Sequence, residues 1–125
     1  MLIPVYPHSI DMVRKLERGE IVLATDPYSG KSGKRPFAII SDSDYPFYPT
    51  GYLGVPVTTQ DKQNTFQIHQ SDIDWKNEPL KVRPSFVNPW SPAQVNDAGK
   101  TVLKLSDEFM DIMAEQVSIA VGSGE

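Results

Sequence analysis

The sequence predicts a mainly β domain, in which a small, strongly bent or closed antiparallel sheet carries helices on its outside. Three observations lead to this prediction. Short apolar runs rich in β-branched residues are separated by Gly, Pro and Asp clusters typical of turns. One segment near the N-terminus and one near the C-terminus have helical spacing instead. Internal repeats and low-complexity segments are absent from the sequence.

Length and composition indicate one globular domain. The 125 residues are 39% hydrophobic and 22% charged, which is enough apolar material for a core. Because no apolar run could span a bilayer and the start does not resemble a signal peptide, we expect a cytoplasmic protein without membrane contact. Cysteine is absent, which excludes disulfides and thiolate metal sites. With a net charge of −4, any contact to nucleic-acid phosphates must come from a local patch such as residues 30–35.

The N-terminal part is predicted to form a short helix followed by a buried strand. Ser9 can cap the helix, and Gly19 is expected to end it. Ile21–Ala24 is an apolar, β-branched run of the kind that forms buried strands. Residues 26–34 have the composition of a loop.

Two more strands are predicted after this loop. Pro36 fits the start of a strand because it lacks the N–H that a sheet ladder needs, and Phe37–Ile40 then indicates a central strand. Residues 42–51 are rich in Pro, Tyr and Asp and predict a second loop. Tyr52–Thr59 is the third strand, and Pro56 within it predicts an edge strand or a bulge.

The C-terminal half is predicted to contain short strands and one long helix. Strands are expected at Phe66–His69, Val82–Val87, Ala93–Val95 and Thr101–Leu105. Ser106 is the expected cap of the helix and Gly122 its stop. Its predicted apolar face consists of Phe109, Ile112, Met113, Gln116, Val117 and Ala120.

Several motifs that suggest cofactors are better explained by local structure. The Gly-Lys-Ser at residues 30–32 is not a nucleotide P-loop, because Thr25 stands where glycine is needed and a strand follows instead of a helix. The pairs Asp42/Asp44 and Asp72/Asp74 lie in predicted turns, where aspartate is common. His8 and His69 have no partner at ligand spacing. We therefore expect no metal and no other cofactor.

Arg35 is a candidate site residue because it stands between a flexible cationic loop and an apolar strand. A rigid strand beside an exposed loop is a common way of building a site. Thr58 and Thr59 lie at the end of the third predicted strand and matter only if the strands bring them beside Arg35. Taken alone, Arg35 is more simply interpreted as an ordinary surface arginine.

Four segments taken together resemble the PemK/MazF toxin family. They are Arg18–Val22, Lys34–Ser41, Val55–Gln60 and Lys104–Met110. The first three match an Arg-Gly-acid-Val opening, an Arg-Pro-apolar strand and an apolar strand ending in Thr, and the fourth matches the start of the closing helix.

The resemblance covers residues 17–121 of a single expected domain, 1–125, with residues 1–16 as an N-terminal extension. It implies an SH3-like barrel that usually forms a homodimer.

The resemblance also implies an activity: an endoribonuclease that cuts single-stranded RNA without a metal and is controlled by an antitoxin. By position, Arg35 and Thr58 match the family's catalytic arginine and threonine. The loop Ser29–Lys34 matches the loop that closes over RNA and that the antitoxin displaces. The residues expected to contact the RNA substrate are Lys31, Ser32, Lys34, Thr59 and Gln60.

The assigned chemistry is attack of the ribose 2′-hydroxyl on the adjacent phosphate. The planar donor fork of Arg35 suits it to clamping the phosphate, and the Thr58 hydroxyl can bond to the same phosphate. Arginine remains protonated at neutral pH and is a poor base, and the sequence shows no evident general base.

One segment departs from the family pattern and keeps a second hypothesis open. Residues 88–94 contain two prolines and lack the expected arginine. The alternative is a catalytically inactive barrel of the same family that binds RNA or protein through the aromatic loop Tyr45–Tyr48. The plainer interpretation of that loop is that it folds back on the barrel.

Overall fold

A computed structural model describes residues 15–25, 33–74, 85–96 and 98–122. Within these ranges, seven strands form a curled antiparallel sheet in the order β4-β5-β3-β2-β1-β7, with β6 also pairing with β3. The strands are β1 (Glu20–Thr25), β2 (Lys34–Ile39), β3 (Tyr52–Thr58), β4 (Phe66–Gln67), β5 (Phe86–Val87), β6 (Ala93–Val95) and β7 (Thr101–Lys104), and the helix is α1 (Asp107–Ala120). The predicted mainly β fold with a C-terminal helix is confirmed.

The short strands form where they were predicted; β6 has the predicted bounds, and β4 and β7 are shorter than predicted. The strand expected at Phe66–His69 ends at Gln67, because a 3-10 turn at Gln70–Asp72 follows. Residues 82–84 and most of the predicted N-terminal helix lie outside the described residues. Among the described helices, none has the length and apolar character needed to cross a membrane.

The central strands are buried on both faces, which explains their nearly continuous apolar sequences. Ile21 and Ala38 contribute to a cluster that includes α1. Val22 and Phe37, one position away on the same strands, contribute to a second cluster on the opposite face. Successive side chains of a strand point to opposite faces, so apolar runs without alternation are needed to fill both clusters.

Pro36 lies inside β2, whereas the sequence predicted it at the start of a strand. β2 begins at Lys34, and Pro36 is opposite Leu23 of β1. The Leu23 carbonyl accepts a bond from Gly99 at 2.8 Å on the other side of β1. The N–H and C=O of a residue in an antiparallel strand point to the same side, so both groups of Leu23 point away from β2. No hydrogen bond to β1 is therefore lost because Pro36 lacks an N–H.

The prediction that β3 is an edge strand or bulged because of Pro56 is wrong. β3 pairs with β2 on one side and with β5 and β6 on the other. Pro56 lies between the segment paired with β6, residues 52–54, and the segment paired with β5, residues 57–58. Its carbonyl accepts a bond from the Asn88 N–H at 3.0 Å, so its missing N–H points to the side where the partner strand changes. Proline is tolerated here because no ladder bond is lost.

The Arg-Gly pair before β1 connects three parts of the fold. Gly19 donates to the Ile39 carbonyl at 2.7 Å and accepts from the Leu105 N–H at 2.8 Å. Its φ is +100°, and a Cβ atom there would lie 2.8 Å from the Leu105 carbonyl oxygen, so only glycine fits. The Arg18 guanidinium donates to Asp111 of α1 at 2.9 Å.

α1 begins and ends as predicted, and the face it buries overlaps the predicted one, since Phe109, Met113 and Val117 are buried. The Ser106 hydroxyl caps the helix by accepting from the Phe109 N–H at 3.2 Å, and Gly122 follows the helix with a φ of +76°. Met110 is fully buried, whereas Ile112 is 48% exposed. Ala120, predicted to be buried, is exposed as well. The helix turns the row Met110, Met113 and Val117 to the sheet.

Met113 and Ile112 provide a matched test of this orientation. Met113 is 0% exposed, so Met113→Ala should lower the free energy of unfolding by about 2–5 kcal/mol. Ile112→Ala should change it by no more than about 0.5 kcal/mol, because that side chain already contacts water. Urea denaturation of both variants measures the difference, and equal losses would contradict the assigned helix face.

An ion pair links the segment before β1 to β7. Lys104 Nζ donates to Glu17 Oε1 at 2.8 Å. This hydrogen bond, with the attraction between the charges, lowers the pKa of Glu17 from its ordinary value near 4.5. The same bond is the main cause that raises the pKa of Lys104. The Glu17 side chain is 72% exposed, so solvent screens the pair and its contribution is small.

The sign of the shift gives a pH prediction. Because the folded state lowers the pKa of Glu17, the pair stabilises the fold above pH 4.5 and this stabilisation is lost as the pH falls through the lowered pKa. Glu17→Gln should therefore unfold with a flatter acid dependence than the wild type while matching it below that range. Thermal denaturation between pH 2 and 7 at low salt tests this, and parallel curves would contradict it.

Candidate functional site

Arg35 and Thr58 are brought together by the pairing of β2 with β3. The antiparallel pairing of β2 with β3 ends at Phe37 and Pro56, and Arg35 and Thr58 each lie two residues beyond that pair. Arg35 also pairs with Ala24 of β1. Side chains two residues apart in a strand point to the same face, so the arginine and the threonine share one face at one end of the sheet.

That end of the sheet forms an open depression of about 210 Å³. β2 and β3, the loop after β3, and the turn after β5 surround it. The lining residues are Arg35, Pro56, Thr58, Lys62, Thr65, Asn88 and Ser91.

The Thr58 hydroxyl is oriented by its own backbone. Its Oγ1 accepts a hydrogen bond from the Gln60 N–H at 3.1 Å. Since a hydroxyl carries one donor and two acceptor positions, this contact leaves the O–H of Thr58 able to donate. Thr58 can therefore present a donor to a ligand in the depression.

The electrostatics of the depression favour an anion. Arg35 and Lys62 each bring a positive charge, and the other five lining residues are neutral. Among the described residues that line it, none is a carboxylate or a histidine. Two cations with hydroxyl and amide donors are the groups that proteins use to bind phosphate oxygens.

The turn at residues 88–91 is a fixed wall of the depression. The Asn88 N–H donates to Pro56 of β3 at 3.0 Å, which ties the turn to the sheet two residues before Thr58. The Asn88 Oδ1 accepts from the Trp90 N–H at 3.0 Å, and Pro89 is fully buried. The wall therefore keeps its place relative to Arg35 and Thr58.

The other predicted RNA-contacting residues have different positions. Lys34, Thr59 and Gln60 are exposed next to the depression, but they are not among its lining residues. Lys31 and Ser32 lie outside the described residues. Of the predicted set, the structure brings together Arg35 and Thr58.

Four polar lining residues were not predicted as site residues: Lys62, Thr65, Asn88 and Ser91. Lys62 follows the Thr-Thr-Gln segment closely in the sequence. A cation so near the end of the strand could have been predicted as a site residue. Asn88 and Ser91 are thirty or more positions from Thr58 along the chain and reach it through the pairing of β3 with β5. Sequence spacing carries no information of that kind.

The aspartate pairs have the turn roles predicted for them. The Asp42 carboxylate accepts from the Asp44 N–H at 2.9 Å, and the Asp72 carboxylate accepts from the His69 N–H at 2.9 Å. Across the described ranges, no group of three or more His, Asp or Glu residues is arranged to hold a metal ion.

The aromatic loop between β2 and β3 folds back on the sheet. Tyr48 packs edge-on against Tyr52 at 5.7 Å between ring centres, and Tyr45 donates a hydrogen bond to Gln94. Phe47 is the exception, with 59% of its surface exposed. The loop joins the opposite strand ends from those that carry Arg35 and Thr58, so it forms no part of the depression.

The fold is that of MazF-type toxins. The structure superposes on an endoribonuclease solved with its cognate antitoxin from a mycobacterial species, with a TM-score of 0.66 and 18% identity over 88% of this chain and 98% of that one. It also superposes on MazF in a MazE–MazF crystal structure from Deinococcus radiodurans, with a TM-score of 0.63 and 15% identity over 87% and 97% of the two chains.

The Mycobacterium tuberculosis toxin MazF-mt6 is a further neighbour, with a TM-score of 0.57 and 17% identity over 82% of this chain and 95% of that one. No protein-family model and no curated protein sequence matches the chain. The neighbours confirm the predicted MazF-like fold at low sequence identity.

Proposed function

We propose that the protein is a toxin-type endoribonuclease that cleaves single-stranded RNA at the depression between β2 and β3. The observation that carries the proposal is that Arg35 and Thr58, each two residues beyond the Phe37–Pro56 pair, line one depression with two cations and no carboxylate among its described lining residues. The MazF-like fold supports the same function, because its solved neighbours include endoribonucleases.

The proposed reaction uses the RNA's own 2′-hydroxyl as the nucleophile. The O2′–P bond forms while the P–O5′ bond breaks; the 2′-hydroxyl proton passes to water and the departing O5′ takes a proton from water, which leaves a 2′,3′-cyclic phosphate and a 5′-hydroxyl. Negative charge grows on the non-bridging oxygens during this step, and a planar guanidinium can stabilise two oxygens at once. Arg35 is assigned this role, and the Thr58 hydroxyl donates to the same phosphate.

The chain's residues are assigned charge stabilisation and not proton abstraction. The described lining residues offer no carboxylate or imidazole that could take the 2′-hydroxyl proton. They also make a poor site for a hard divalent cation, which needs carboxylate or carbonyl oxygens. The proposal is therefore a metal-free cleavage that depends on positioning and electrostatics.

The proposed partners follow from the same function. Two of the solved neighbours are complexes, one with a cognate antitoxin and one with MazE. By analogy we assign this protein an antitoxin partner, a homodimeric state and a cytoplasmic location, within the single domain and family-like region predicted from the sequence. Lys34, Thr59 and Gln60 lie at the rim, where an extended RNA strand would leave the depression.

Removal of the Arg35 guanidinium tests the catalytic role. The wild type should cleave a single-stranded RNA in EDTA, and Arg35→Ala should slow cleavage at least about 10²-fold, as expected for the loss of one charge-stabilising donor. Arg35→Lys should recover little, because an ammonium cannot bond two phosphate oxygens as a fork does. Gel analysis of end-labelled RNA, with detection of the cyclic phosphate, measures both.

Circular dichroism of each variant confirms that its fold is retained. Cleavage that needs added Mg²⁺, or wild-type rates in Arg35→Ala, would refute the proposal. RNA binding by the wild type without any cleavage would favour the inactive binding module instead.

Lys62 provides a separate test of the binding surface. Lys62→Gln should weaken RNA binding without regard to sequence and reduce the slope of log Kd against log salt by about 0.7, the value for one contact to a single strand. Lys100→Gln removes the same charge from a position before β7, two strands further across the sheet, and should leave the slope unchanged. Fluorescence anisotropy between 50 and 300 mM salt distinguishes them, and equal slopes in the two variants would contradict the placement of Lys62.

A further inference from the structure

We propose that the turn Asn88–Ser91 is a nucleobase subsite, in which Trp90 stacks on a base next to the phosphate held by Arg35. This inference rests on the proposed function, since it assigns the second half of a nucleotide to the same depression. It concerns the segment where the sequence departs most from the family pattern.

The depression has a cationic side and a neutral polar side, and a nucleotide likewise has a charged end and a neutral end. Its two cations, Arg35 and Lys62, come from β2 and from the loop after β3. The wall contributed by the turn holds two neutral polar groups, Asn88 and Ser91. A nucleotide has an anionic phosphate at one end and a neutral, planar base at the other. When the phosphate is bound by the cations, the base faces the neutral wall.

The turn has the rigidity that a recognition surface needs. The Asn88 side chain accepts from the Trp90 N–H at 3.0 Å, and its backbone N–H donates to Pro56 at 3.0 Å. Pro89 between them is fully buried and restricts the backbone further. Little conformational entropy therefore remains to be lost when a ligand binds.

Trp90 is an exposed aromatic residue in the turn that forms one wall of the depression. It is 37% exposed and lies between Asn88 and Ser91, which both line the site. A buried proline followed by an exposed tryptophan is difficult to explain as core packing. Proteins that bind single strands use such exposed aromatic rings as platforms, because every base has a face that can stack.

The Asn88 amide adds polar recognition to the stacking surface. Each amide has two donor hydrogens and two acceptor positions, and the contact with Trp90 uses one acceptor position. One amide hydrogen of Asn88 makes a long and therefore weak contact with the Ser91 hydroxyl, at 3.5 Å. The remaining donor and acceptor match the paired donor and acceptor on the edge of a base.

The test separates binding of the base from binding of the phosphate. Two fluorescein-labelled 2′-O-methyl hexanucleotides serve as probes, one with bases and one with abasic sites throughout. Neither can be cleaved, because the attacking hydroxyl is blocked. Wild type should bind the base-containing probe more tightly than the abasic one, and Trp90→Ala should reduce that preference about tenfold, as expected for the loss of one stacked base. Trp90→Phe should retain most of the preference.

A matched control and a spectroscopic signature complete the experiment. Phe47→Ala removes another exposed aromatic side chain at the opposite strand ends and should leave the preference unchanged. In a Trp75→Phe background, where Trp90 is the remaining tryptophan, the base-containing probe should quench the fluorescence and the abasic probe should not.

The outcomes distinguish the two proposals. If Arg35-dependent cleavage occurs but Trp90→Ala keeps the wild-type preference, or Phe47→Ala loses it, the base subsite is refuted and the endoribonuclease remains. If no RNA is cleaved while the Trp90-dependent preference is present, the subsite is supported and the endoribonuclease is refuted. If the wild type shows no preference for bases, the subsite is refuted.

Discussion

The antiparallel register between β2 and β3 fixes the geometry of the candidate site. Phe37 is paired with Pro56, and Arg35 and Thr58 each follow two residues beyond this pair, where both line the depression. A shift of one residue would move the threonine to the other face of the sheet. Apolar side chains on both faces of the sheet hold this register, so core packing fixes the relative positions of Arg35 and Thr58.

The depression exists because β3 changes its partner along its length. β6 pairs with the beginning of β3 and β5 with its end, and the chain between β5 and β6 crosses Pro56. A proline at this point removes no ladder bond, and the crossing segment brings the Asn88–Ser91 turn beside Thr58. The change of partner strand along β3 therefore explains why Pro56 is tolerated within a central strand, and it also supplies one wall of the depression.

The residues that carry the family resemblance have different physical tasks. Arg18 and Gly19 join the sheet to the C-terminal helix and are far from the depression. Arg35 and Thr58 line it, in a fold that solved MazF-type proteins share at under a fifth identity. The positive φ of Gly19 and the bond from Arg18 to Asp111 explain these two motif positions by the fold itself. The turn at residues 88–91 does not match the family pattern and contributes Asn88 and Ser91 to the lining of the depression.

The sequence by itself predicted the strands and the capped helix, because apolar runs and Ser106 are local signals, and it named Arg35 and Thr58 as catalytic candidates only through the family resemblance of the Arg-Pro and Thr segments. It misjudged Pro36 and Pro56, because the cost of a missing N–H depends on whether a neighbouring strand needs that donor. It predicted Phe109, Met113 and Val117 of the buried face of α1 correctly but missed Met110 and included the exposed Ile112, since helical spacing allows adjacent faces and packing against the sheet decides between them. Only the tertiary structure decided that Lys62, Asn88 and Ser91 share a depression with Arg35 and Thr58, because that contact depends on strand pairing between residues distant in the chain.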